Sequence, residues 1–106
     1  MKVRELLELV DTVKTNSVDD ALKTRWIADV EGRVLCELHK VDPTQLDLVI
    51  GEDYELSVPD AYAKMYVAYL VSMLEFVSGN YEAYGRMRSE YEQAFGMYAR
   101  YLIRNR

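Results

Sequence analysis

The aromatic and methionine residues of the C-terminal half repeat in mirror image about Gly79-Asn80, and few architectures accommodate that. On one side Tyr62, Tyr66, Tyr69, Met73 and Phe76 recur at alternating steps of four and three. On the other, Tyr84, Met87, Tyr91, Ala94, Tyr98 and Tyr101 do the same. That period places each set on one stripe of a helix. Reflection about residue 80 sets Phe76 opposite Tyr84, Met73 opposite Met87, Tyr69 opposite Tyr91, and Tyr62 opposite Tyr98. The spacing therefore predicts an antiparallel αα-hairpin over Ser57 to Arg104 with a tight turn and an aromatic seam. A ligand pocket lined by the same stripes is the competing reading, and the mirror spacing favours the seam.

Upstream, Val3, Leu6, Leu7, Val10 and Val13 define a short amphipathic helix ending before Thr15-Asn16-Ser17. Ser17-Val18-Asp19-Asp20 fits a capping box, with Ser17 as N-cap. Leu22, Trp26, Ile27, Val30, Val34 and Leu38 then carry a second stripe to about His39, and Pro43 prevents continuation. Residues 41–57 are the least helical. Leu46, Leu48 and Ile50, then Tyr54, Leu56 and Val58, alternate with other residues about Gly51. This predicts a semi-extended loop or a small β-hairpin that leans on the helices or pairs with another chain. Ser57-Val58-Pro59-Asp60 is a second capping box. The helix after it has an aromatic face, an aliphatic face (Ala63, Val67, Leu70, Leu74, Val77) and a small or polar face (Ala61, Lys64, Ala68, Ser72, Glu75). Such a helix needs cover on two sides and is expected to be central. The expected fold is all-α: an N-terminal helix pair packed on a long antiparallel hairpin, in a single domain over 1–106.

Charge is unevenly spread. Residues 1–60 hold seven Lys/Arg against fourteen Asp/Glu, and residues 61–106 hold six against four, for a net −5. An acidic N-terminal half is unsuited to gripping phosphates. Arg100, Arg104 and Arg106 make a basic C-terminal end that complements a helix dipole. The single Cys36 excludes an internal disulfide and suits a reducing compartment. The opening MKVRELLEL lacks the apolar core of a signal peptide, and the apolar run Met65 to Val71 falls short of the ~20 residues of a membrane span.

Chemistry finds little purchase. Cys36 and His39 share a helix face, but no second Cys or His completes a zinc site, and no third group orients a nucleophile pair. One histidine excludes the paired Glu-x-x-His of di-iron bundles. Glu52-Asp53 and Glu90/Glu92 lie in polar segments that predict solvated carboxylates. Phosphate-binding glycine loops and Ca²⁺ loops are absent from the sequence. The expectation is a protein with no catalytic, metal or cofactor site. Gly85 and Gly96 lie on nearly one face of the last helix, with Ser89 and Glu92 between. That face is either exposed or approached closely by another backbone.

From Tyr54 onward the chain resembles the small helical head–tail connector (adaptor) proteins of tailed bacteriophages and prophages. The resemblance rests on Tyr54-Glu55-Leu56-Ser57-Val58-Pro59, Ala61-Tyr62, the apolar run Met65 to Leu70, and Glu75-Phe76-Val77-Ser78-Gly79-Asn80-Tyr81. It continues through Tyr84, Tyr91, Phe95 and Tyr98, and more loosely through the Leu-rich first helix, Trp26 and Glu31-Gly32-Arg33. Gly85-Arg86 stands where members of that family often carry asparagines. The resemblance implies a structural subunit that assembles as a ring on the portal protein. Such a ring extends the DNA channel and offers a surface to the next connector or tail component. DNA would pass without specific binding, and the acidic half would suit a channel lining. The implied locations are the host cytoplasm during assembly and then the virion head–tail junction. Ring contacts are heterologous, and the candidate interface residues are Leu48, Ile50, Tyr54, Leu56, Gly85, Ser89 and Gly96. The alternative function is a small helical regulatory or peptide-binding module without catalysis.

Overall fold

Helix α1 (Val3–Val13) opens the chain and buries Val3, Leu6, Leu7 and Val10 on one stripe, leaving Val13 exposed. A computed structural model describes residues 1–105. The first amides of any helix lack intrahelical acceptors. Here the Val3 and Arg4 amides donate to the carbonyls of Tyr54 and Glu52, both at 3.0 Å, and Leu56 N–H donates to Met1 O at 2.9 Å. Residues 52–56 therefore run beside the start of α1. Lys2 and Glu55 form an isolated antiparallel bridge, and no strand is present among the described residues. Of the two alternatives for 41–57, the semi-extended loop is the one found, with a 3₁₀ turn at Pro43–Gln45.

Helix α2 (Asp20–Arg33) passes directly into a π-helical segment, Val34–Leu38. Its N-cap is Asp19, whose carboxyl accepts from Ala21 N–H at 2.8 Å, and not the expected Ser17. Aspartate caps as well as serine does. Asn16 meanwhile fixes the approach by accepting from Val18 N–H and Lys23 Nζ. The core stripe of α2 is Lys23, Trp26, Ile27, Val30, Glu31 and Val34, while Leu22 is exposed.

The second capping box is also overturned. A 3₁₀ turn at Asp60–Tyr62 precedes α3 (Lys64–Val77), and Ser57 caps nothing because its amide and hydroxyl go to Glu31. The small or polar face is covered over Ala68, Ser72 and Glu75, which are buried, while Ala61 and Lys64 at its start are exposed. Small side chains let α1 approach there, and Lys14 Nζ reaches Glu75 at 2.6 Å. At the other end of α3 the aromatic and aliphatic residues Phe76 and Val77 are uncovered as well.

Gly79 (φ 80°) closes α3. Asn80 N–H donates to Glu75 O and Gly79 N–H to Phe76 O, a Schellman pair. Asn80 then caps α4 (Tyr81–Arg104) by accepting from Ala83 N–H. Gly79→Ala is expected to cost about 1–2 kcal/mol, because a Cβ disfavours this left-handed backbone. Urea unfolding measures it, and an unchanged midpoint would refute the assignment. The architecture is all-α, with one core cluster drawing on all four helices.

Candidate functional site

The predicted seam residues mostly meet. Ring centroids lie 5.3 Å apart for Phe76 and Tyr84, 5.4 Å for Tyr62 and Tyr98, and 5.0 Å, edge-on, for Tyr69 and Tyr91. Met73 and Met87 are half-buried against the core, and Ala94 is buried. The Arg88 guanidinium sits over Tyr69, Tyr84 and Tyr91, adding cation–π attraction along the seam. Phe76 is half exposed at the hairpin tip. Tyr66 departs from the seam pattern: fully buried, it sends its hydroxyl to α2, where it donates to Glu31.

Glu31 is the polar centre of the molecule, and periodicity did not single it out. Its side chain is 0% exposed. Tyr54 hydroxyl donates to Oε2 at 2.8 Å, Ser57 hydroxyl to Oε1 at 2.9 Å, and Ser57 N–H to both oxygens at 3.3 Å. Tyr66 completes the set and itself accepts from Val58 N–H at 3.3 Å. A carboxyl so saturated with protein donors anchors rather than reacts: it ties the 54–58 segment to α2 and α3. A signal did exist. Lys23 and Glu31 stand four residues to either side of the core Ile27, so both fall on the apolar stripe. Lys23, 2% exposed, is neutralised by Asp11 at 2.8 Å and Asp20 at 3.3 Å. Lys23's hydrogen bond holds the Asp11 carboxyl below its ordinary range.

The residues considered for chemistry are placed as follows. Cys36 is half-buried, and His39 Nε2 is 2.8 Å from the Tyr98 hydroxyl. Glu52 and Asp53 are exposed, with Asp53 paired to Arg4. Glu90 is exposed, and Glu92 pairs with Arg33, whose guanidinium lies 3.8 Å above the Phe95 ring. Among the described residues no group of His, Cys, Asp and Glu is placed to hold a metal, and no helix is long and apolar enough to cross a membrane.

The candidate interface residues divide. Leu56 is buried, and Ile50 and Tyr54 are half-buried against the core, so three of the four apolar loop positions serve the fold. Leu48 is half-buried. The alternation is real but its outward side is the other one, where Val49 is 78% exposed. Gly85 and Ser89 are exposed. A Cβ at Gly85 would meet open space, and one at Gly96 would touch only the side chain of Arg100. Among the described residues, therefore, no backbone closes on the glycine face. Arg106 lies outside the described residues.

Two further surfaces are apolar. One is the hairpin tip, where Phe76, Val77 and Tyr81 are exposed together. The other is a groove of about 490 Å³ between α3 and α4, lined by Val13, Val67, Ala68, Met87, Ala94 and Met97, with Lys64, Glu90 and Gln93 at its edge. Neither the family models nor the curated proteins nor the solved structures contain a match to this chain.

Proposed function

We propose that the chain is a structural subunit of a phage or prophage head–tail connector, assembling as a ring on the portal protein and extending the DNA channel. The observation that carries this reading is the distribution of exposed apolar side chains. Val49 on the loop, Phe76, Val77 and Tyr81 at the hairpin tip, and Ile103 near the end of α4 occupy different elements. A ring needs such unlike patches, because each subunit meets its neighbour heterologously. The segments that carry the family resemblance, Tyr54–Pro59 and the tyrosine stripes, are spent on the anchor and the seam. They build the scaffold, and docking falls to the hairpin tip and to residues outside those segments. The partners are further copies of itself, the portal protein and the next connector or tail component. DNA slides past exposed carboxylates of the acidic half such as Glu8 and Asp29 without specific binding. Its places are the host cytoplasm during assembly and the virion head–tail junction afterwards.

Mixing the protein with portal protein from the same genome, followed by electron microscopy, tests the proposal. Rings capping the portal are expected, and bare portals at every salt concentration would dismiss it. The groove along α3 and α4 favours a second reading, a non-catalytic module that receives a partner helix or peptide. That reading predicts one bound helix per chain and no ring.

A further inference from the structure

Residues 46–50 form neither helix nor strand, and the amides of Asp47, Leu48, Val49 and Ile50 donate to no backbone carbonyl among the described residues. Ile50 packs on the core and holds the segment down, while Val49 points away from it, the most exposed large apolar side chain described. Asp47 and Glu52 flank Val49, both exposed and neither ion-paired among the described residues. The last turns of α4 carry the opposite arrangement. Arg100, Ile103 and Arg104 stand at i, i+3 and i+4, so they share one helix face. Ile103 is 60% exposed and both arginines are exposed and unpaired among the described residues. Gly96 lies one turn earlier on that face and keeps it low. One patch is thus an apolar residue between two acids, and the other an apolar residue between two arginines. Since Val49 and Ile103 are both uncovered, the chain does not satisfy one patch with the other.

The geometry points to a head-to-tail contact between two copies of this chain, in which Val49 with Asp47 and Glu52 seats on the Arg100–Ile103–Arg104 face of the next. Apolar contact supplies the attraction, and the charges set its orientation and exclude loop-to-loop and helix-to-helix pairing. The backbone carbonyls of 46–50, which accept from no backbone amide among the described residues, give the arginines further acceptors besides the carboxylates. Because the patches differ, the contact repeats from copy to copy and closes into a ring if the rotation allows. It places the subunit contact of the proposed connector. It rests on that reading for the closed ring, and the pairing itself does not depend on it.

Sedimentation velocity on the intact chain tests the contact. The wild type is expected to self-associate, with Kd rising about tenfold from low salt, where charges act over ~30 Å, to physiological salt, where they act over ~8 Å. Asp47→Lys with Glu52→Lys should be monomeric, as should Arg100→Glu with Arg104→Glu, each with an unchanged helical spectrum. An equimolar mixture of the two variants should associate again, because every reversed patch then finds a complementary one. All four substitutions in one chain should restore self-association. A wild type that stays monomeric to about 1 mM in low salt overturns the contact, and so does a mixture that stays monomeric. If the wild type associates but caps no portal, this contact stands and the connector reading falls. If a chain with only one patch reversed still forms rings on a portal by itself, the contact is overturned and the connector reading stands.

Discussion

Replacing Glu31 by alanine is expected to destabilise the protein by about 3–5 kcal/mol, since several buried donors lose one shared acceptor at about 1–3 kcal/mol each. The reason is what remains behind. Tyr54 hydroxyl, Ser57 hydroxyl, Ser57 N–H and Tyr66 hydroxyl all donate to this one side chain, and Tyr66 is itself fully buried. Alanine leaves those donors facing each other across a void, where each unmet buried donor costs about 1–3 kcal/mol before relaxation. The hydroxyls can rotate to bond one another, so the losses do not add in full. Glu31→Gln keeps an acceptor of the same shape, and two of the hydroxyls can turn to accept from its amide, so it should cost about 1–2 kcal/mol. Urea denaturation ranks the three proteins, and hydrogen exchange at the Ser57 and Val58 amides localises the loss. If Glu31→Ala melts within about 1 kcal/mol of wild type, the anchor is not what holds 54–58 in place. The consequence for function follows from position. Tyr54 and Ser57 end the excursion that displays Val49, so loosening the anchor should weaken docking before the hairpin itself unfolds.

The hairpin was legible because its determinants are local. A stripe at steps of three and four, a left-handed glycine and an asparagine cap specify two helices and their register without reference to the remaining chain. The ring pairs Tyr69/Tyr91 and Tyr62/Tyr98 follow from that register alone. What the sequence hid is non-local. Ser57 carries the local signature of a cap, yet a carboxyl 26 residues earlier takes both its amide and its hydroxyl. Lys23 and Glu31 lie on the apolar stripe, and the groups that satisfy them there, Asp11 for the one and Tyr54 and Tyr66 for the other, come from other elements. In 46–56 the alternation gives two faces but not which one meets the protein. That choice is made by the start of α1, whose unpaired amides take the carbonyls of Glu52 and Tyr54. The docking residues are therefore those that local patterning ranks last: Val49 between two acids, and Ile103 between two arginines.

The same buried hydroxyls make the fold sensitive to alkali. Burial, and then donation to Glu31, hold the Tyr66 hydroxyl far above its ordinary 10, and the Val58 amide offsets only part of this. Tyr54 is raised for the same two reasons, and burial raises Tyr69, Tyr91 and Tyr98. In the unfolded chain these groups lose their protons near pH 10, so above that pH the native state binds more protons than the unfolded one. Stability is then fully present below pH 10 and falls as pH rises, with a slope of about 1.4 kcal/mol per pH unit for a group as enclosed as Tyr66. Tyr54, which shares Glu31 as acceptor, is the next strongest contributor, whereas Tyr69, Tyr91 and Tyr98, raised chiefly by burial, contribute less. Against a total stability of the usual ~5–15 kcal/mol, the combined slope should unfold the protein cooperatively between about pH 10 and 12. Helical circular dichroism should then fall together with the part of the tyrosinate absorbance that these five enclosed tyrosines contribute. Tyr66→Phe removes the steepest contributor and should flatten the fall while lowering stability at neutral pH. Were all nine tyrosines to ionise around pH 10 with the helical signal intact, Tyr66 could not be enclosed beside Glu31, and the anchor assigned to that pair would have to be given up.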